Sequence, residues 1–256
     1  MKNRIGLKLW STNVNNYLRP ACELFESGIY DYIELYVVPG SLQFLSLWKK
    51  TQIPYIIHNA HFASGFNLAK KELRAKNKLI YAETLQYADN LKAEKIIFHG
   101  GIDGRIEETA EQLRAFNEAR ALIENKPYIA LPNKMGGKYC RGATLEEIKF
   151  VMDYVGCGFC LDIGHAICSA NTQKRNYKSV IAEFNSLNPY MYHLSDVLDL
   201  TSPYDAHPNF GTGLLDISDL KKNLFNPRSP ISIETNKNFC DNLDDFVSDV
   251  RYFENA

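Results

Sequence analysis

The chain has 256 residues, of which 45% are hydrophobic and 23% charged, and its formal net charge is −1. This is the profile of an ordinary globular protein. There is no basic excess to support nonspecific nucleic-acid binding, and no apolar run reaches the ~20 residues of a membrane-crossing helix. The first ten residues, MKNRIGLKLW, are charged and short of hydrophobic side chains, unlike a secretory signal. The six scattered cysteines are expected as free thiols of a cytoplasmic protein.

In chain order, strand-like runs occur at RIGLKLW (4–10), YDYIELYV (30–37), PYIIHNA (54–60) and KIIFHGG (95–101). They continue with RALIEN (120–125), GFCLDIG (158–164), MYHLSD (191–196) and PISIET (230–235). Several are rich in β-branched and aromatic residues, which suit a pleated surface. Between them, segments such as 68–93 and 105–119 carry apolar residues at three- and four-residue steps, as amphipathic helices do. Eight alternations in one chain predict an α/β fold, a (β/α)8 TIM barrel forming one domain over residues 1–256. An open doubly wound sheet is the runner-up. The longest loop spans 126–142 and is a lid candidate, because long loops in compact domains are often functional. Lys134, Lys138 and Arg141 in it fit a solvated lid better than a phosphate grip. Cys157 and Cys160 form a CxxC, but it lies in an apolar strand, where residues three apart face opposite sides.

The strand candidates end in titratable residues. The third ends in His58, the fourth in His99 and the fifth in Glu124. The sixth ends in Asp162 with His165 just beyond, the seventh contains His193, and the eighth ends in Glu234. The loop after the seventh adds Asp205 and His207. In a barrel these positions share one mouth, where such folds carry their active sites. A lone histidine at a strand end is more often a hydrogen-bonded core residue. Here five of six histidines take such positions, interleaved with four carboxylates. Nine buried titratable groups need neutralising charge, and metal ions supply it. Imidazole mixed with carboxylate suits zinc, with manganese or iron as alternatives, better than calcium or magnesium.

The motifs HNAHFASGFNLA (58–69), FHGG (98–101), IEN (123–125), LDIGHA (161–166), HLSD (193–196), DAHPNFGTG (205–213) and IETN (233–236) together resemble the xylose-isomerase-like TIM barrels. Within them the resemblance is in particular to the endonuclease IV (apurinic endonuclease family 2) branch, and it runs from the first strand to the last. The resemblance implies up to three zinc ions. His58, His99 and Glu124 would hold the first. Asp162, His193 and Glu234 would hold the second, with Glu124 bridging, and His165, Asp205 and His207 the third. Asp162 and His165 would then serve different ions, Gly164 letting the chain turn so that both face the mouth. Asp196 would orient a ligand. Glu124 and Glu234 would be the catalytic pair, and His61 and Phe62 would contact substrate, Phe62 as a wedge at an abasic gap in DNA. For Phe62 ordinary core packing is the competing expectation. The chain departs from the branch in FHGG for FHPG and DIGHA for DTCHA. ELYVVPGSLQF (34–44) also lacks the basic residues of a DNA-gripping loop.

Two chemistries follow. In one, a metal-activated hydroxide attacks a phosphodiester at an abasic site in DNA. In the other, one ion held by Glu124, Asp162, His193 and Glu234 polarises a small sugar or sugar phosphate, and the two glutamates move protons between adjacent carbons. The complete nine-residue set makes phosphodiester hydrolysis of the endonuclease IV type the leading expectation, and the absence of a basic surface keeps the isomerase or epimerase as the alternative. A non-catalytic metal-binding protein is the third class, hard to reconcile with nine donors. Gly211 and Gly213 are expected to permit a tight turn near the site.

Overall fold

Each of the eight apolar runs forms a strand in the computed structural model, which describes residues 3–132 and 136–256. The strands are β1 (Ile5–Trp10), β2 (Tyr32–Tyr36), β3 (Tyr55–His58), β4 (Ile96–His99), β5 (Ala121–Glu124), β6 (Gly158–Asp162), β7 (Met191–Leu194) and β8 (Ile231–Ile233). All pair in parallel in chain order, and β8 closes on β1, so the sheet is a barrel and not an open doubly wound sheet. Most strands are shorter than the apolar runs suggest. From β3 to β6 the ladder stops at the titratable residue, where the backbone turns into the mouth loops.

The helices are α1 (Val14–Glu26), α2 (Leu45–Trp48), α3 (Arg74–Asn90), α4 (Ile106–Phe116), α5 (Leu145–Val155), α6 (Ile163–Thr172), α7 (Tyr177–Asn185), α8 (Ile217–Asn223) and α9 (Asp244–Asn255). Among the described residues, no helix is long and apolar enough to cross a membrane. The two amphipathic segments predicted around 68–93 and 105–119 are α3 and α4, each trimmed at both ends.

Side chains alternate between the two faces of each strand. One set (Leu7, Leu35, Ile57, Phe98, Ile123, Leu161 and others) joins the large core under the helices. The other set fills the barrel. Its lower layer is Tyr32, Ile56, Ile97, Leu122, Cys160 and Met191. Two residues further along the same strands stand Glu34, His58, His99, Glu124, Asp162 and His193, one layer higher. A Cβ on Gly6 would lie 2.3 Å from the Tyr32 ring, so Gly6 makes room for the tyrosine that plugs the floor. Cys160 belongs to the inner layer while Cys157 packs against the outer core, and all six cysteines are free thiols.

The 126–142 segment is not structureless. Isolated antiparallel bridges join Ile129 to Tyr139 and Ile102 to Cys140, and Lys126 N–H donates to Gly142 O at 3.0 Å. Lys134 lies outside the described residues.

Candidate metal centre

Strand register sets the first neighbours. His99 pairs with Glu124 across β4–β5, Asp162 with His193 across β6–β7, and Lys8 with Glu34 across β1–β2. At the end of β6, Asp162 becomes the N-cap of α6 and accepts a hydrogen bond from His165 N–H at 2.7 Å. A side-chain oxygen bonding the backbone N–H three residues on is ordinary N-cap geometry. It accounts for the three-residue spacing and corrects the role expected of Gly164. That glycine lies inside the first turn of α6 and makes no turn of its own. A Cβ there would lie 3.1 Å from Asp205 Oδ1 and 3.4 Å from Asp162 Oδ1, so glycine leaves space for two carboxylates.

The nine expected residues converge. His58 Nε2 and His99 Nε2 lie 3.1 and 3.0 Å from Glu124 Oε2. His193 Nδ1 faces Glu234 Oε1 at 3.2 Å, Glu124 Oε2 at 3.6 Å and Asp162 Oδ2 at 3.9 Å. His165 Nε2 and His207 Nε2 lie 3.3 and 2.6 Å from Asp205 Oδ2. Asp162 and His165, expected to serve different ions, also converge with Glu124 to within 4.8 Å. Ligand atoms ~2.0–2.2 Å from a zinc ion lie on the order of 3–3.5 Å from one another, so these spacings fit a bound metal.

Proton positions make the same point. His58 Nδ1 lies 2.8 Å from Asn59 O, an acceptor only, so Nδ1 carries the hydrogen. Burial, with Lys8 nearby, lowers the His58 pKa and keeps the ring neutral. Its Nε2 lone pair then faces a carboxylate oxygen, two acceptors that require a cation between them. His193 is fully buried and its Nδ1 has no hydrogen-bond partner, although three carboxylates surround it. His99 is likewise held far below its usual range by burial. Burial pushes the Glu124 carboxyl up, but His99, Lys126 and His193 outweigh it and hold it well down. The same opposition, with His193 and Lys8 prevailing, keeps Glu234 ionised. Asp162 is raised by burial and by the neighbouring carboxylates, against the pull of His165.

Three charged residues of the site escaped the sequence reading. Glu34, fully buried on β2, accepts from His193 Nε2 at 2.9 Å and from Ser232 Oγ. It thereby fixes the ring whose other nitrogen faces the carboxylates. Lys8 on β1 bridges Glu34 Oε1 at 2.5 Å and Glu234 Oε1 at 2.6 Å. Lys126, two residues after Glu124, places Nζ 3.2 Å from Glu124 Oε1. The available signal was a charge inside an apolar strand run, IGLKLW and YIELY, which is costly to bury without a partner.

Asp196, expected to orient a ligand, is engaged by the backbone. Its carboxylate accepts backbone N–H groups from Val197, Gly211, Gly213 and Leu215 at 2.8–3.0 Å, and so anchors the 211–215 loop. A Cβ on Gly213 would come within 2.4 Å of Asp196 Oδ1, so that glycine serves close approach; Gly211 does have a positive φ of 78°. His61 stacks on His99 with ring centroids 5.3 Å apart, and burial pushes its pKa down to about 3. Phe62 is half-buried and packs against Ile102, Ala130 and Cys140 while its edge lines the cavity. Arg141 is spent on Asp103 O, Gly104 O and Glu147, and Lys138 lies over the Tyr139 ring.

Above the donors opens a cavity of about 630 Å³, walled by Trp10, Tyr17, Tyr36, Phe62 and Tyr204. Its cationic lining residues are Lys8, Lys126 and Lys237, and no arginine lines it among the described residues. Burial lowers Lys237 to about 8, and its ammonium donates to Thr235 O at 2.7 Å.

A family model described as a xylose isomerase-like TIM barrel matches residues 23–256. Probable endonuclease 4 of Thermoplasma volcanium is 27% identical over 181 residues, which are 68% of this chain and 64% of that protein, just under two thirds of its length. Probable endonuclease 4 of Mycobacterium marinum is 24% identical over 191 residues, covering 73% of this chain and 75% of that one. Endonuclease IV of Thermus thermophilus superimposes with a TM-score of 0.68 at 19% identity over 98% of both chains. A D-tagatose 3-epimerase-like protein superimposes with a TM-score of 0.67 at 18% identity, over 98% of this chain and 96% of its own. At such identities the superpositions show a shared fold and no more.

Proposed function

Because this chain belongs to the xylose isomerase-like TIM barrel family, we propose that it is a metal-dependent isomerase or epimerase acting on a small sugar or sugar phosphate. The observation that carries this is the convergence of Glu124, Asp162 and Glu234 on the bare Nδ1 of His193, beneath a concave aromatic-walled cavity. A cavity of about 630 Å³ is the size of small-ligand pockets. Aromatic faces suit sugar rings, and a duplex would call for a rim of lysine and arginine.

Glu124, Asp162, His193 and Glu234 are the residues that would hold a divalent ion. Such an ion, when bound, polarises a carbonyl and its neighbouring hydroxyl. Glu124 and Glu234 approach from β5 and β8 with β6 and β7 between them. One ionised glutamate removes the proton from the carbon beside the carbonyl; the other, having taken a proton from solvent, delivers it to the intermediate from its own side, and the first then loses its proton to solvent. Lys8 keeps Glu234 Oε1 oriented, and Glu34 keeps the His193 ring from turning. Trp10 and Tyr36, with ring centroids 5.5 Å apart, line the cavity and offer aromatic faces to a sugar.

A second reading is phosphodiester hydrolysis at abasic sites in DNA, favoured by the named relatives and by the complete set of nine donors. One experiment separates the two. The metal-supplemented protein is incubated in deuterium oxide with a panel of ketoses, aldoses and their phosphates, and in parallel with a duplex carrying one abasic site. The expected result is chelator-sensitive deuterium incorporation beside a sugar carbonyl, lost about a hundredfold or more in Glu124→Gln, and an intact duplex. A chelator-sensitive nick with no sugar exchange would transfer the assignment to hydrolysis.

A further inference from the structure

Lys126 follows Glu124 by two residues, is 6% exposed, and is pinned by its backbone bond to Gly142 O. Its Nζ lies 3.2 Å from Glu124 Oε1, 3.2 Å from His165 Nε2 and 3.4 Å from His99 Nε2. The ammonium thus sits where the first donor set meets the third. His165 Nδ1 is 3.0 Å from both Asn125 O and Glu124 Oε1, acceptors that hold a hydrogen on Nδ1, so Nε2 is the atom left to face an ion. Nε2 is what His165 would offer to an ion shared with Asp205 and His207, and here the Lys126 ammonium stands 3.2 Å from it. His207 Nε2 meets Asp205 Oδ2 at 2.6 Å, a donor–acceptor contact between the other two members. His165 Nε2 also lies 3.3 Å from Asp205 Oδ2, so Lys126, His165, Asp205 and His207 form one connected run of polar contacts. This differs from His58, whose lone pair faces a carboxylate with no donor between them.

Charge points the same way. Five carboxylates face the mouth (Glu34, Glu124, Asp162, Asp205 and Glu234), against the ammonium groups of Lys8 and Lys126. As metal ligands the imidazoles would be neutral, and three negative charges then remain to be balanced. One or two divalent ions bring the balance to within one charge of zero. A third would leave three unbalanced positive charges in a mostly buried cluster, which is costly.

We infer that the Lys126 ammonium is a resident cation in the place of a third metal, so that the chain holds at most two divalent ions and His165, Asp205 and His207 form a hydrogen-bonded wall of the pocket. This rests on the proposal that the mouth binds metal, and is independent of which substrate is turned over. The test is elemental analysis of full-length protein saturated with zinc and then gel-filtered. One or two zinc ions per chain are expected in the wild type, one more in Lys126→Ala, and the wild-type number in His207→Ala. His207 is partly exposed, so that variant keeps the test decisive if Lys126→Ala does not fold. Three ions in the wild type, an unchanged number in Lys126→Ala, or one ion fewer in His207→Ala would each overturn the inference. Protein that binds no zinc at all would overturn it together with the metal-dependent function. The expected zinc numbers with no sugar exchange would leave it standing and remove only the substrate assignment.

Discussion

Glu34 shows how much of the site depends on a residue that need not touch substrate. Its carboxylate meets an imidazole, a hydroxyl and an ammonium in a fully buried position. Burial alone would raise its pKa, but His193 and Lys8 prevail and lower it. Removing one partner of a buried ionic cluster leaves the others uncompensated. Glu34→Ala should therefore destabilise the fold by about 3 kcal/mol or more, read from urea unfolding. It should also release the His193 ring, so that the folded fraction binds metal more weakly. A variant with wild-type stability and wild-type zinc affinity would show that Glu34 is a passive core residue. Lys126 sits beside Glu124 in the motif ENK, which looks like the start of a loop. Its side chain turns inward, where Glu124, His99 and His165 offer buried polar partners.

At the scale of elements, the β6–α6 junction combines two duties in one residue. Asp162 closes a strand, caps a helix through His165 N–H and points its other oxygen at the metal centre. The duties can be separated by substitution. Asparagine caps a helix about as well as aspartate, whereas alanine loses ~1 kcal/mol of capping, and neither presents an anionic oxygen to an ion. Asp162→Asn and Asp162→Ala should both lose zinc affinity, and the alanine variant should in addition unfold at lower urea concentration. Equal stability of the two variants would remove the capping account. Among the described residues of the predicted loop 126–142, Ile129 bridges to Tyr139 and Cys140 to Ile102 at the exit of β4. Periodicity could not reveal these bridges, because each is an isolated pair and not a repeating pattern.

At the scale of the molecule, a closed parallel barrel collects the ends of all eight strands at one mouth, and with them a surplus of buried negative charge. A ligand that binds only the native state stabilises it by about 2.7 kcal/mol at a hundredfold excess over its dissociation constant. Chelation should therefore lower the melting temperature and zinc should restore it; a melting curve indifferent to both would argue against resident metal. The barrel itself was legible in the sequence, because eight apolar runs separated by amphipathic segments leave few other ways to bury every strand on both faces. So was the nine-residue set, since titratable residues at successive strand ends must share one rim. Sequence alone could not show what lies between those nine. Strand register brings Lys8 beside Glu34, and chain closure brings both beside Glu234 on the last strand. Asp196, expected to serve the metal, is engaged by its neighbour Val197 N–H and by three backbone N–H groups of a loop that the sequence places up to nineteen residues away. Strand order and donor chemistry are local properties that a linear pattern carries. The balance of charge in the mouth is a sum over residues that only the folded barrel brings within a few ångströms of one another.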